Sequence, residues 1–311
     1  MKLHRGDESF EPPHRAVVTS GTFDGVHVGH QKILRRLKEL ATEVGGETVV
    51  LTYWPHPRLV LYPDDDSLQL LTTFEEKIAL FDTLGIDHLV QIPFTEAFSQ
   101  LSSDAFIRQV LIDKIHTQYL VIGYDHRFGR HREGGFDYLK EHADDYGFSV
   151  EEIPRQDIDH VGVSSTKIRK ALAIGDVRTA NDYLGRSYRL QGTVIEGDKI
   201  GRSLGFPTAN LRLNSPHKLI PADGIYAVRV YHAGRQHDGM LYIGHRPTIQ
   251  GTSRNIEVHL FDFDQTIYGQ TLDVALLART RGDLTLDSLE ALTEQLHRDE
   301  EEVRKVLASQ F

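Results

Sequence analysis

The chain has 311 residues, 40% hydrophobic and 26% charged, with 35 basic against 45 acidic side chains and a formal net charge of -10. That length exceeds the needs of one ordinary core and predicts two domains, while the acidic balance argues against a surface built for nucleic acid, whose phosphates demand Lys and Arg. The lack of cysteine excludes a disulfide scaffold, a thiolate zinc site and a cysteine nucleophile, so any polyphosphate must be held by local donors and a metal ion.

From the start, Met1 to Arg15 is polar and carries Glu8 and Glu11, unlike a signal or transit peptide. No apolar run nears the roughly 18 to 20 residues that would span a bilayer. A cytoplasmic chain without a membrane partner is expected, a monomer or a weak homo-oligomer. Ala16 to Ser20 predicts a first strand. Ile33, Leu34, Leu37, Leu40, Ala41 and Val44 then share one helical face, opposite Lys32, Arg35, Arg36 and Lys38, and Gly45 and Gly46 end that helix. Thr48 to Tyr53 reads as a second strand, and Thr73 with Glu76 has the spacing of a capping box. Strands near His88 to Ile92, Tyr119 to Ile122 and Ser149 to Ile153 follow, with helices near Asp104 to Ile115 and Phe136 to Tyr146. Two short helices, Ser165 to Ile174 and Val177 to Leu184, close the series. This alternation predicts an α/β fold with a doubly wound parallel sheet.

After Leu184 the helical periods stop and short strands separated by Gly, Pro and Asn take over. The boundary is therefore placed between 184 and 185, giving domains 1–184 and 185–311. Strands are expected at Tyr188 to Ile195, Tyr226 to Tyr231, Met240 to Ile243, Glu257 to Phe261 and Thr271 to Leu277, enough for a small antiparallel β-barrel. A terminal helix from Asp287 to Leu307, carrying Leu289, Leu292, Leu296, Val303 and Leu307, would lid it.

Two segments of the first half carry chemistry. Gly21 to His30, GTFDGVHVGH, lies between the first strand and first helix, where open α/β sheets bind their ligands. Gly21, Gly25 and Gly29 let backbone approach a phosphate, and the helix start beyond supplies free N–H donors. His27 and His30 can stabilise charge growing on an α-phosphate and on leaving pyrophosphate without a covalent intermediate. The same residues also suit a plain glycine turn, or a zinc site of Asp24, His27 and His30. Val163 to Arg169, VSSTKIR, places hydroxyls and a cation at a later helix start, where Ser164 or Ser165 can equally be a simple cap.

In the second half no GxxxxGK[ST] loop occurs, so phosphoryl transfer cannot rest on a P-loop. Gly197 to Asn210, GDKIGRSLGFPTAN, instead joins Gly201 and Gly205 to a Pro-stiffened turn. That turn aims Thr208 and Asn210, two neutral oxygen donors suited to Mg²⁺; a tight hairpin connection is the simpler use of such residues. Glu257 opens EVHLFDFD, and a carboxylate in a barrel mouth can deprotonate a primary hydroxyl for attack on a γ-phosphate.

Taken together, GTFDGVHVGH and VSSTKIR resemble the HxGH nucleotidylyltransferase superfamily. Pro55 to Pro57, PHP, and Gly123 to Gly129, GYDHRFG, resemble the bacterial FAD synthetase branch. GRSLGFPTAN, PADGIYAV at Pro221 to Val228, IGHRPT at Ile243 to Thr248 and EVHLFDFDQTIYG ending at Gly269 resemble the riboflavin kinase family. The resemblance runs from about residue 16 to 307 and implies a bacterial bifunctional riboflavin kinase/FMN adenylyltransferase. By that resemblance His27 and His30 serve the triphosphate, together with Gly21, Phe23, Gly25 and Gly29. Ser164, Ser165, Thr166 and Arg169 hold its distal phosphates. Gly201, Gly205 and Thr208 bind the second nucleotide, Thr208 and Asn210 take Mg²⁺, Glu257 is the base, and Pro55, Pro57, Asp125 and Arg281 meet flavin. Riboflavin, FMN and ATP are the implied partners. Two departures stand out. His126 replaces the family's Phe in its loop, and Thr285 and Leu286 replace a basic residue and Phe before the last helix, although Arg279 and Arg281 match. Rival readings are a chain with one live domain, a flavin or nucleotide sensor, and a nucleotidylyltransferase with another acceptor.

Overall fold

Every strand of the first half runs in the same direction. The computed structural model describes residues 1–6, 10–65, 67–154, 162–197, 200–248 and 251–309; Glu8, Asp198 and Lys199 of the segments above lie outside them. In chain order the first half comprises β1 (Lys2–Arg5), β2 (Ala16–Gly21), α1 (Val28–Val44), β3 (Glu47–Trp54), α2 (Pro57–Leu61), α3 (Phe74–Thr83), β4 (His88–Pro93) and α4 (Glu96–Ser99). It continues through α5 (Ser103–Phe106), a π-helical stretch Ile107–Ile112, β5 (Thr117–Gly123), α6 (Phe136–Tyr146) and β6 (Ser149–Ile153).

The sheet has the order β1-β4-β3-β2-β5-β6, parallel throughout. Alternation along β2 explains its two covers. Ala16 and Val18 face one core, with Val49, Leu51, Phe106, Ile107 and Leu139, whereas Val17 faces the other, with Val50, Leu34, Leu37 and Phe81. A sheet buried on both faces needs such continuous apolar strands, each buried Leu or Ile contributing about 1.5–3 kcal/mol. β2 is central: β3 pairs on one side and β5 on the other. The crevice at its carboxyl end is therefore the switch point where such folds bind ligands.

The helices follow their sequence signals. α1 ends at Gly45 in the left-handed region, and Thr73 and Glu76 form both bonds of the capping box on α3. Besides the short α2 and α4, which were not expected, two elements differ from expectation. β1 was not foreseen, because Lys2–Arg5 has no apolar alternation; it is an edge strand paired with β4, where His4 Nε2 lies 3.1 Å from His88 Nδ1 and His88 Nε2 lies 2.9 Å from Glu47 Oε2. The helix expected over Asp104 to Ile115 starts one residue earlier and turns π-helical after Phe106.

The structure divides into two compact units, Met1–Ser165 and Thr166–Phe311, whereas the change of sequence texture falls at Leu184. The helices between, α7 (Ser165–Ala173) and α8 (Val177–Leu184), are tied to the strands that follow. Asn181 donates to Leu276 O at 2.9 Å and accepts from Tyr188 N at 2.7 Å, and Ala222 N donates to Leu172 O. The remaining elements are β7 (Tyr188–Ile195), α9 (Ile200–Ser203), β8 (Ala209–Leu213), β9 (Gly224–His232), β10 (Arg235–Thr248), β11 (Gly251–Leu260), β12 (Thr271–Arg281) and α10 (Leu289–Ala308). The strands close a six-stranded barrel in the order β10-β11-β8-β7-β12-β9. β8 was not foreseen: Ala209, Leu211 and Leu213 do alternate with Asn210 and Arg212, but over only five residues directly after a turn rich in Gly and Pro. α10 does lid this barrel through Val303 and Leu307, buried with Phe206, Ile225, Met240 and Leu277. Leu289 at its start is 59% exposed and takes no part.

Candidate functional site

At the carboxyl end of β2 the chain enters the loop Gly21–His27 and then α1. His27 is the N-cap of α1, and its Nδ1 accepts from His30 N at 3.3 Å. An imidazole whose Nδ1 accepts carries its proton on Nε2 when neutral and is a donor there. The His30 ring stacks on His27 at 3.6 Å and meets the edge of Phe23 at 5.2 Å. Gly29 packs closely, since a Cβ there would sit 3.2 Å from both the His27 ring and the Val163 side chain. That close approach brings the later motif to the loop, where the Ser165 hydroxyl donates to Asp24 O at 2.9 Å.

Asp24 is not available to a metal in the way the zinc alternative requires. It is 3% exposed, and its carboxylate accepts from Leu71 N at 3.0 Å and Thr72 N at 3.1 Å. Ser164 is half-buried beside the loop; Thr166 and Arg169 continue α7 in the second unit, exposed and half-buried respectively.

A cavity of about 1070 Å³ opens at the switch point. Gly21, Phe23, His30, Pro57 and Asp125 of the expected residues line it, whereas His27, Gly25, Gly29 and Pro55 do not. The volume suits a ligand at the large end of small-molecule sites. Its aromatic wall includes Phe23, Tyr53, Phe98, Phe106 and Phe128, and its rim includes Arg58, Arg127, Arg130 and Arg132 against Asp65 and Asp125. In a chain of net charge -10 the site is thus locally cationic, which favours a flat ring system bearing phosphate.

The arginines were missed by sequence reasoning. Their signal is three arginines within six residues after GYDH, on a loop where His131 and Arg132 both take positive φ, +56° and +61°. Non-glycine residues hold such dihedrals only where the surroundings impose them. Here Arg130 N donates to Leu101 O at 2.7 Å, and Phe128 and Gly134 bridge the loop's base.

His126 also lines the cavity, its Nε2 2.8 Å from Ser20 Oγ. Its Nδ1 is buried without a hydrogen-bond partner. Burial holds this imidazole down to about 4, a hydrogen bond to Ser20 opposing only in part, so the ring is neutral near pH 7. Burial also pushes the Tyr53 phenol up to about 12, against a hydrogen bond from Ser20. The position expected to supply a stacking ring therefore supplies a neutral polar one.

In the second unit, register assembles the site. Glu257 on β11 pairs with Asn210 on β8, and the Thr208 hydroxyl donates to Glu257 Oε2 at 3.0 Å. Glu257 is 7% exposed. Thr208 immediately precedes β8, and its hydroxyl reaches the carboxylate of the residue that pairs with Asn210. Gly197 faces the Asn210 amide, which occupies the space a Cβ would need. Gly201 lies behind Thr208, and Gly205 has φ +85°. Arg281 spends its fork on Asp299 of α10, at 2.7 and 2.6 Å, and on Gly282 O, so its guanidinium clasps the lid to β12. Thr285 and Leu286 lie in the irregular segment between β12 and α10, Thr285 exposed and Leu286 half-buried.

Comparison with known proteins covers both units. A family model described as FAD synthetase matches residues 9–167 and one described as riboflavin kinase matches residues 184–307. The chain is 38% identical over 293 residues to the bifunctional riboflavin kinase/FMN adenylyltransferase of Listeria monocytogenes, covering 94% of this chain and 92% of that one. It is 38% identical over 285 residues to the protein of the same description from Haemophilus influenzae, covering 91% and 92%. A solved structure from Streptococcus pneumoniae, described as a macrolide-efflux protein, is 32% identical with a TM-score of 0.85, covering 94% of each chain. Among the residues described for this chain no helix is long and apolar enough to cross a membrane. Likeness of this degree, running through the parallel-sheet unit and the barrel alike, establishes that the chain belongs to the bifunctional riboflavin kinase/FMN adenylyltransferase family.

Proposed function

We propose that the barrel unit phosphorylates riboflavin with ATP to give FMN and ADP. The parallel-sheet unit then joins FMN to the adenylyl group of a second ATP, giving FAD and pyrophosphate. The observation that carries this reading is that a pair of motif residues meets inside each unit: Glu257 with Thr208, and His27 stacked on His30, which lines a cavity walled by aromatic rings and arginines.

In the barrel, Glu257 takes the proton of the ribityl 5′-hydroxyl as its oxygen attacks the γ-phosphorus and ADP leaves. The hydrogen bond from Thr208 holds one carboxylate oxygen, Oε2, and so orients the group for that proton. Mg²⁺ supplies neutralisation of the phosphate charge when bound. Thr208 and Asn210 offer it hard, neutral oxygens, and since no three His, Asp or Glu side chains gather among the described residues, ATP phosphates and water would fill the remaining positions.

In the first unit an FMN phosphate oxygen attacks the α-phosphorus, and the bond to pyrophosphate breaks. His30 stands at the cavity as a donor to the growing charge, with His27 stacked behind it and orienting it through the helix start. Pro57 and Asp125 border the flavin, and the rim arginines meet its phosphate. The segment that opens α7 belongs by resemblance with this first activity, so the functional boundary is placed at Leu184 rather than between Ser165 and Thr166. A cytoplasmic setting suits a chain that uses ATP twice.

Incubation with riboflavin, ATP and Mg²⁺ followed by chromatography of the flavins tests the reading. FMN and FAD should both form. FMN without FAD would remove the first-unit assignment, and unchanged riboflavin would remove the second.

A further inference from the structure

Lys77 is a cationic side chain with 2% exposure, and neither reaction described above uses it. An ammonium withdrawn from water is tolerated only where polar partners compensate. On α3, Lys77 Nζ donates to Thr22 O at 2.7 Å, lies 3.5 Å from Thr52 Oγ1, and stands 5.7 Å above the Trp54 ring. Thr22 is the residue before Phe23, whose φ is +46°, a strained value for an aromatic side chain.

The segment from Leu71 to Lys77 ties down the loop on both sides of that strained residue. On the far side, the Asp24 carboxylate accepts from Leu71 N and Thr72 N, and Gly25 N donates to Thr72 Oγ1 at 3.1 Å. On the near side the tie is Lys77. Phe23 in turn carries the His30 ring on its edge, and both line the cavity. A shift at Thr22 O is therefore transmitted to Phe23 and from it to His30, the donor nearest the reacting phosphate in the reading given above.

We propose that Lys77 is a positioning residue for adenylyl transfer: its buried ammonium pins the Thr22 carbonyl, holds Phe23 in its strained conformation and so fixes the His30 ring at the cavity. The inference rests on the first unit being the adenylylating one. It also makes the reaction depend on the protonation of Lys77. Burial lowers this ammonium to about 8, with the Asp24 carboxylate pulling the other way. Of the charged groups around it, Glu76 on the same helix is committed to Thr73 N, Arg5 of β1 lies over Phe74, and the His27 and His30 imidazoles lie beyond Phe23. The pin is charged below that pH, and its charge-assisted bond to the Thr22 carbonyl weakens to that of a neutral amine as pH rises through it.

The test uses the full chain and Lys77→Met. FAD formation from supplied FMN should fall about 100-fold in kcat, with KM for ATP within about threefold, while riboflavin phosphorylation in the same preparation is unchanged. In the wild type FAD formation should decline as pH rises through about 8, and that limb should be absent from the variant. Trp54, the single tryptophan of the chain, gives a readout without catalysis: its emission should step over the same pH range in the wild type and not in the variant. Variant activity equal to wild type, or a wild type without the pH limb and the emission step, would overturn the role of Lys77; the second arm holds even where the variant does not fold. A wild type that makes no FAD from FMN would overturn the first-unit assignment itself and the inference with it.

Discussion

The two sites of this molecule are built by opposite means. In the first unit the histidines proposed for adenylyl transfer stand at the cap and first turn of α1, behind a strained loop with Phe23 and Val26 at φ +46° and +39°, which distant residues hold in shape. In the barrel Glu257 and Asn210 stand on paired strands, and the ladder itself brings them side by side. A loop site lets backbone N–H groups and a helix start face a phosphate, but it needs ties such as Asp24 to Leu71 and Thr72. A strand site needs no such ties, and the role proposed for it rests on one buried carboxylate, Glu257. The first site should accordingly be sensitive to changes far along the chain, and the second mainly to changes in its own side chains.

The sharpest way to separate them is Glu257→Gln. Without a base at the barrel mouth, riboflavin phosphorylation should fall by roughly 10³- to 10⁴-fold, while supplied FMN is still converted to FAD at the wild-type rate. Assaying both products from one preparation checks this, and a matching loss of FAD synthesis would merge the two sites. His30→Ala is the reciprocal change. Loss of its donor should slow FAD formation by about 10²- to 10³-fold and leave FMN formation intact; unimpaired FAD formation would show that the stacked pair is only structural.

A smaller effect comes from acid. His126 is held down to about 4 by burial against about 6.5 in the unfolded chain. Between those values the unfolded state binds the proton and the native state does not, so stability falls as pH drops through the window and levels off below about 4. The loss is at most roughly 3 kcal/mol and belongs to the first unit. In His126→Phe the acid side of the unfolding curve should flatten, as read by Trp54 emission; an unaltered curve would mean that the imidazole titrates in place. The smallest contrast lies along α10. Val303→Ala should cost about 2 kcal/mol or more, whereas Leu289→Ala should stay within about 0.5 kcal/mol. Equal costs in denaturant unfolding would show that the lid's first turn packs after all.

Much of this was legible in the residues because the relevant signals are local. The short β-rich run at Ala16–Gly21, the capping pair Thr73 and Glu76, and the glycines around His27 and His30 act within a few residues, and each appears where its spacing requires. β1 was illegible because Lys2–Arg5 holds one apolar residue, Leu3, and β8 because its alternation spans only five residues directly after a turn rich in Gly and Pro. Leu289 kept the helical period without packing, since a period says which residues share a face and not how far the covered surface extends. For Arg281 the residue type was right for an anion, but the anion in the structure is Asp299, eighteen residues on.

By itself the sequence determined the class of each half, the order of the elements and the motifs that carry the two chemistries, because short-range periodicity and backbone freedom depend on neighbours along the chain. Only the tertiary structure decided that the helices from Ser165 to Leu184 are bound to the barrel strands by Asn181 and Leu172. It alone gathered arginines from α2 and from the loop after β5 around one cavity and placed the ammonium of Lys77 under Thr22, 55 residues away. Such encounters depend on which faces meet once the chain has packed, and residue spacing carries no record of that.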